Sequence, residues 1–188
     1  MEIHLTEIYK GLAEWRAERG ITAESQKEGY IVNVMEEFGE LSTALRLLEK
    51  SKSVNDSHEL KCAEHFIIDA LCDISVFTIN AGADIPCEHK PTRLELEPCL
   101  SLYNLLREIA DHQRCFNSIT LCYVLGVCAS LCYQYGFDFQ IAMDETIKEI
   151  SSRTGSYDEV SKKWVKDESD EARAKWYQAD YEKARIEQ

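Results

Sequence analysis

Apolar residues recur at three- and four-residue intervals along most of the chain, the spacing of amphipathic helices. Ile3, Leu5, Ile8, Leu12 and Trp15 predict a helix over residues 2–19, ended by Gly20 in the position after the cap. After a turn at Thr22–Ser25, a second helix is expected to run to about Lys50, with Ile31, Val34, Met35, Phe38, Leu41, Leu45 and Leu48 inward. Ser51–Ser57 reads as a polar loop. A third helix, from about His58 to Ala81, is apolar nearly all round after Glu64, which marks a buried helix. Gly82–Pro98 holds all three prolines and reads as irregular, and its His89 is a lone surface residue. Helices are expected over Cys99–Asp111, Ser118–Tyr135 and Phe137–Ser152, the last capped by Asp138 with Ile141, Ile147 and Ile150 inward. Arg153–Tyr157 predicts a turn, followed by Lys162–Lys166 around Trp164. Ser169–Ile186 predicts a charged peripheral helix with Trp176, Tyr177 and Tyr181 on one side, docked on its own or a neighbouring subunit.

The pattern predicts an all-α helical bundle, one domain over residues 1–188 with a core of about 2–153 and a peripheral helix of about 168–186. Eight glycines and three prolines in 188 residues leave few helix breakers, and 45% hydrophobic content suffices for a proper core. A net charge of −13 argues against nucleic acid as a partner, because phosphate backbones need a basic surface. Ser118–Tyr135 is the most apolar run, yet it is short for a membrane span and contains Gly126, Ser130 and Gln134. It reads as a core helix or a subunit interface, with no membrane involved. Most of the eight cysteines sit inside apolar helical runs, no Cys-x-x-Cys pair occurs, and no signal peptide opens the chain. The expectation is a reduced, cytoplasmic protein.

Chemistry concentrates on the second and third helices. At about 100° per residue, Glu37 falls at the edge of the apolar stripe and Glu40 one turn further on, just outside it, while Glu36 points away. On the third helix Asp69, Asp73 and Asn80 share one face, and Glu64 falls on the opposite side. Two glutamates on a rim facing two aspartates on a buried helix form an oxygen-rich cage, the surroundings that hard divalent cations such as Mg²⁺ prefer. A di-iron carboxylate bundle needs Glu-x-x-His on facing helices, and no Glu here has a His three residues later.

Glu37-x-x-Glu40, followed by a helix carrying Asp69-Ala-Leu-Cys-Asp73, resembles the all-α nucleoside triphosphate pyrophosphatases, the superfamily of MazG and the dimeric dUTPases. The usual second motif there is Glu-x-x-Asp. Here Ala70 stands at the usual Glu position with Asp69 before it, the Asp-Ala-x-x-Asp variant of phage-type MazG-like proteins. The segment from Trp15 to Ile21 and Gln26 is also similar to the family's N-terminal part, and the match covers roughly residues 5 to 82.

The resemblance implies Mg²⁺-dependent hydrolysis of a nucleoside triphosphate between its α- and β-phosphates by a homodimer or homotetramer, with Mn²⁺ as an alternative metal. It implies Glu37, Glu40 and Asp73 as metal ligands, joined by Asp69, with Glu40 or its neighbour Glu36 orienting the attacking water. Lys148 and Arg153, at the end of a helix, resemble the family's basic phosphate-binding helix end; both are also well-placed cations at a helix C-terminus. The Asn80 amide could contact a ribose or phosphate, or be a buried group satisfied by a neighbour. Trp15 could pack on a base, although a helix-face Trp is core by default. Two other readings remain: a non-catalytic nucleotide- or metal-binding protein of the same fold, and a helical interaction module that binds through its Trp-Tyr tail.

Overall fold

A computed structural model of the chain describes residues 2–97, 100–158 and 163–187. Pro98, Cys99 and Lys162, which belong to segments discussed above, lie outside the described residues. The fold is all-α, with seven α-helices and only short strands among the described residues. Its spine is a hairpin of two long helices, α2 (Ala23–Val54) and α3 (Ser57–Ala81). Thr22 caps α2 by accepting the Ser25 N–H. Asn55 turns the corner in the left-handed region at φ 55°, which asparagine tolerates better than most residues. Asp56 then caps α3 by accepting the N–H groups of His58 and Glu59, both at 3.0 Å. These two residues replace the predicted polar loop, so that α2 runs four residues beyond Lys50.

From Ile67 onward helix α3 is buried on almost every side, as its composition predicts. It packs on α2, on α5 (Ser118–Gln134), on α6 (Phe139–Ser152) and on α1 (Thr6–Glu18). Helix α4 (Leu102–Arg114) packs on α5 and touches α2. The apolar run of α5 is core, and no helix among the described residues is long and apolar enough to cross a membrane. The cysteines among the described residues are all free.

The buried seam of α2 differs in phase from the predicted stripe. Tyr30, Val34, Leu41, Ala44, Leu48 and Ser51 are the buried residues, whereas Ile31 and Met35 are 36% and 45% exposed. The spacing of four, seven, three, four and three leaves one gap, and Glu37 fills it. A carboxylate therefore occupies a seam position of a coiled-coil-like helix pair.

Three further predictions are corrected at the ends of the chain. Residues 2–4 form a strand, β1 (Glu2–His4), paired antiparallel with β2 (Arg93–Glu95) from the proline-bearing stretch, and only α1 is helical. Residues beyond Arg153 form β3 (Gly155–Asp158), paired with β4 (Lys163–Lys166), rather than a simple turn. Gly155 is required there: any side chain would collide with the Val165 carbonyl oxygen and the Trp164 ring. The charged tail is not a helix. It contains one turn, α7 (Asp170–Arg173), then an irregular run ending in a 3-10 turn at Tyr181–Ala184. On α6, Ile150 is buried as expected but Ile141 is 42% exposed.

The tail docks on its own chain, with Tyr181 and Ala184 buried. Asp138 donates its N–H to the Ala184 carbonyl at 2.6 Å, and Ile186 donates to Gly136 at 2.8 Å. At the opposite edge, the Arg19 guanidinium is buried and donates to the carbonyls of Ile150, Ser151 and Arg153 at 3.1–3.4 Å. These are the acceptors that a helix end leaves without partners, so α1 fixes the end of α6.

Candidate functional site

Glu37 lies in the α2 seam, half-buried, and burial, Glu40, Asp69 and Glu36 push its carboxyl up to about 7 against the weaker pull of Lys166. Across the seam, Asp69 and Asp73 occupy consecutive turns of α3. Burial raises Asp69, and Glu149 and Glu40 add to this, while a hydrogen bond from Tyr181 and the charge of Arg153 oppose it. Burial, with Asp69 and Glu37 beside it, pushes Asp73 well above the usual carboxylate range, although Arg153 opposes the rise. Glu40 and Glu36 are exposed on the rim. The four predicted metal-ligating acids thus share one place, because helix periodicity points one face of α3 at the α2 seam.

A third carboxylate neighbour of the aspartates, besides Glu37 and Glu40, comes from α6 and was not anticipated. Glu149 accepts from Arg153 Nη2 at 2.5 Å and from the Ala179 N–H at 2.7 Å. The sequence signal for it was the four-residue spacing of Glu145, Glu149 and Arg153, which places all three on one side of α6. Arg153, expected from the sequence only as a cation at the end of this helix, lies near Asp69 and Asp73, with its Nε buried and unpartnered. Lys166, on β4, supplies the cation facing Glu37. Among the groups that dominate the site's electrostatics, six are carboxylates (36, 37, 40, 69, 73, 149) and two are cations (153, 166).

Three other predicted residues are placed elsewhere. Lys148 pairs with Glu145 at 2.7 Å, beside the tail. Asn80 is fully buried near α1, its side-chain oxygen accepting from Arg16 at 2.6 Å while its amide nitrogen has no partner. Trp15 donates its indole N–H to the Ile150 carbonyl at 3.1 Å and so ties α1 to α6. Glu64, excluded on helical phase, is bound by Arg185 at 3.0 Å on the other side of α3.

Next to the acids, a groove of about 510 Å³ runs between α2 and α3. Glu36, Glu40 and Asp69 line it together with Thr43, Leu47 and Phe66, the last 56% exposed just before the buried part of α3. A larger cavity of about 860 Å³, between β2, α4 and α5, contains none of the clustered acids. Its arginines Arg107 and Arg114 are already paired with Glu108 and Asp111. Size alone would select that cavity, but the chemistry lies in the smaller groove.

Among the described residues, no three His, Cys, Asp or Glu side chains are gathered closely enough to hold a metal ion as they stand. The donor chemistry fits a hard divalent cation all the same: every candidate atom is a carboxylate oxygen, and the raised carboxyls are those that an added positive charge would relieve. No protein-family model, no curated protein and no solved structure matches this chain.

Proposed function

We propose that the chain is a Mg²⁺-dependent nucleoside triphosphate pyrophosphohydrolase, cleaving between the α- and β-phosphates. The observation that carries this reading is the carboxylate surplus at the α2–α3 seam. Buried like charges are costly unless a cation joins them, and here they adjoin a groove within the size range of small-ligand sites. Glu37, Glu40, Asp69 and Asp73 would hold the metal. When bound, Mg²⁺ would offset the triphosphate charge and lower the pKa of a water so that it can attack at neutral pH.

The chain's own groups have separable tasks. Glu36 and Glu40, exposed on the rim, are free to orient a water by accepting its proton in a hydrogen bond. Arg153 and Lys166 flank the acids and would receive the phosphate oxygens on which charge builds. Leu47 and Phe66 give the groove an apolar side beside its acids, suited to a nucleoside. Lys166 would take the role that the resemblance implies for Lys148.

The test is release of pyrophosphate from a panel of ribo- and deoxyribonucleoside triphosphates, with Mg²⁺ and with EDTA, and nucleotide products separated by chromatography. Monophosphate and pyrophosphate are expected only with the metal. Diphosphate and phosphate, or no Mg²⁺-dependent turnover on any member of the panel, would overturn the reading.

Arg153 and Lys148 should then separate in kinetics. A charge-assisted hydrogen bond contributes about 1.5–3 kcal/mol, so Arg153→Ala is expected to lower kcat/KM by roughly ten- to a hundredfold. Lys148→Ala should leave kcat/KM within about twofold, since Lys148 pairs with Glu145 beside the tail and away from the clustered acids, so that its loss is felt in stability. Equal kinetic losses in the two variants would return Lys148 to the site.

A further inference from the structure

The tail is fastened to the carboxylate site at two points that the proposed reaction does not itself require. Tyr181 buries its ring, and its hydroxyl donates to Asp69 Oδ1 at 2.7 Å while lying 3.0 Å from Thr146 Oγ1. Two residues earlier, the Ala179 N–H donates to Glu149 Oε2 at 2.7 Å. One oxygen of this carboxylate, Oδ1, is thereby held in place.

The rest of the tail is held by polar fasteners rather than by an apolar face of its own. Tyr177 N–H donates to Ser152 Oγ at 2.8 Å. Arg185 binds Glu64 and Glu182 at 3.0 and 2.8 Å and stacks over the Phe137 ring at 4.5 Å. Glu182 in turn meets His65 at 2.7 Å. This arrangement fixes the distance between the tail and α3 at the level of Asp69. A carboxylate on a helix keeps rotamer freedom unless a second group orients it, and groups that orient metal ligands commonly set affinity.

We propose that the C-terminal tail is part of the cation site, with Tyr181 as the positioning residue for Asp69 and the Ala179 N–H fastening the tail to Glu149 beside it. The proposal rests on the divalent-cation reading given above. The prediction is a chain whose metal affinity depends on a segment that contributes no ligand.

The experiment measures Mn²⁺ affinity of the full chain, without nucleotide, from the electron paramagnetic resonance signal of free Mn²⁺. Tyr181→Phe keeps the ring and removes the hydroxyl. Loss of a group that orients a ligand typically costs 10–100-fold in metal affinity, so the Mn²⁺ Kd is expected to rise about tenfold. The melting temperature in EDTA, taken in parallel, separates the roles: a merely structural tyrosine would lower it and leave the Kd unchanged. Arg185→Ala loosens the far end of the tail without touching the acids and should raise the Kd less, in the same direction. If the native chain binds no Mn²⁺, the cation reading fails and this proposal with it. If the native chain binds and Tyr181→Phe binds equally well, the tail's role alone is overturned. Should Tyr181→Phe not fold, a native Kd in Arg185→Ala overturns it instead.

Discussion

Asp73→Asn is expected to abolish Mg²⁺-dependent turnover and, at the same time, to raise the melting temperature of the metal-free protein. The first effect should exceed about a hundredfold, because even groups outside the ligand set cost 10–100-fold in metal affinity when removed. The second follows from linkage. Burial, Asp69 and Glu37 raise the Asp73 carboxyl in the folded chain. The folded state therefore keeps a proton that the unfolded chain has released, and stability falls as pH rises above the ordinary carboxylate range. Glu37, pushed up to about 7, extends that slope into the neutral range. Asparagine has nearly the same shape and no charge, so at pH 8 in EDTA the variant should melt higher, by about 2–4 °C for each kcal/mol relieved. Saturating Mg²⁺ should reverse the order, since at about a hundred times Kd it adds roughly 2.7 kcal/mol to a chain that binds it only when folded. Turnover at the native rate would remove Asp73 from the cage. Loss of turnover together with a lower metal-free melting temperature would make Asp73 a structural residue instead.

That experiment tests the part of the site most legible in the sequence. Asp69 and Asp73 stand out because α3 is apolar enough to be buried and the two acids are one turn apart. The same periodicity places Glu37 against them. The phase of α2 was harder to read, because its seam includes Glu37, Ala44 and Ser51. A hydropathy pattern discounts an acid and two small residues, and it favours Ile31 and Met35, which the structure leaves exposed. Small seam residues are what close approach of two long helices requires, so the physical logic was present but not as hydrophobicity.

What could not be read was non-local. Its spacing from Glu145 and Arg153 puts Glu149 on one side of α6, but its place in the cluster depends on how α6 crosses α3. Residues 169–186 are rich in Ala, Glu, Lys and Arg, a composition that favours helix. The chain instead spends the N–H groups of Ala179 and Asp180 on Glu149 and Glu145. Those hydrogen bonds, with Tyr181 and Ala184 buried, outweigh a weak local propensity. Likewise Ile3 fits a helical stripe, but residues 2–4 pair with a strand more than eighty positions away. A window of any practical length around either segment contains no trace of its partner.

Glu145→Ala should be among the most destabilising single changes on α6, with an effect that fades in acid. The Glu145 side chain is 1% exposed and accepts from Lys148, Lys183, the Tyr177 hydroxyl and the Asp180 N–H. Burial alone would raise its carboxyl. The hydrogen bonds from Lys148, Tyr177, Asp180 and Lys183 outweigh that and hold it at about 2. Both lysines are about half exposed and can return to water, so most of the loss comes from the Tyr177 and Asp180 donors. Leaving them unpaired costs about 1–3 kcal/mol each, and a total near 3 kcal/mol is expected, with a fall of about 2–4 °C per kcal/mol. The sign with pH is opposite to that of Asp73. A carboxyl lowered in the folded state stabilises above its unfolded value, ordinarily about 4.3, and that contribution is lost as pH falls towards 2. Urea unfolding of the native chain and the variant should therefore show the full difference at pH 7 and a much smaller one near pH 2.5. A difference that stays constant across that range would mean that the lost packing, not the charge, was what mattered. No difference at pH 7 would place the tail's anchorage on Tyr181 and Ala184 alone, and metal affinity would then survive Glu145→Ala although it falls in Tyr181→Phe.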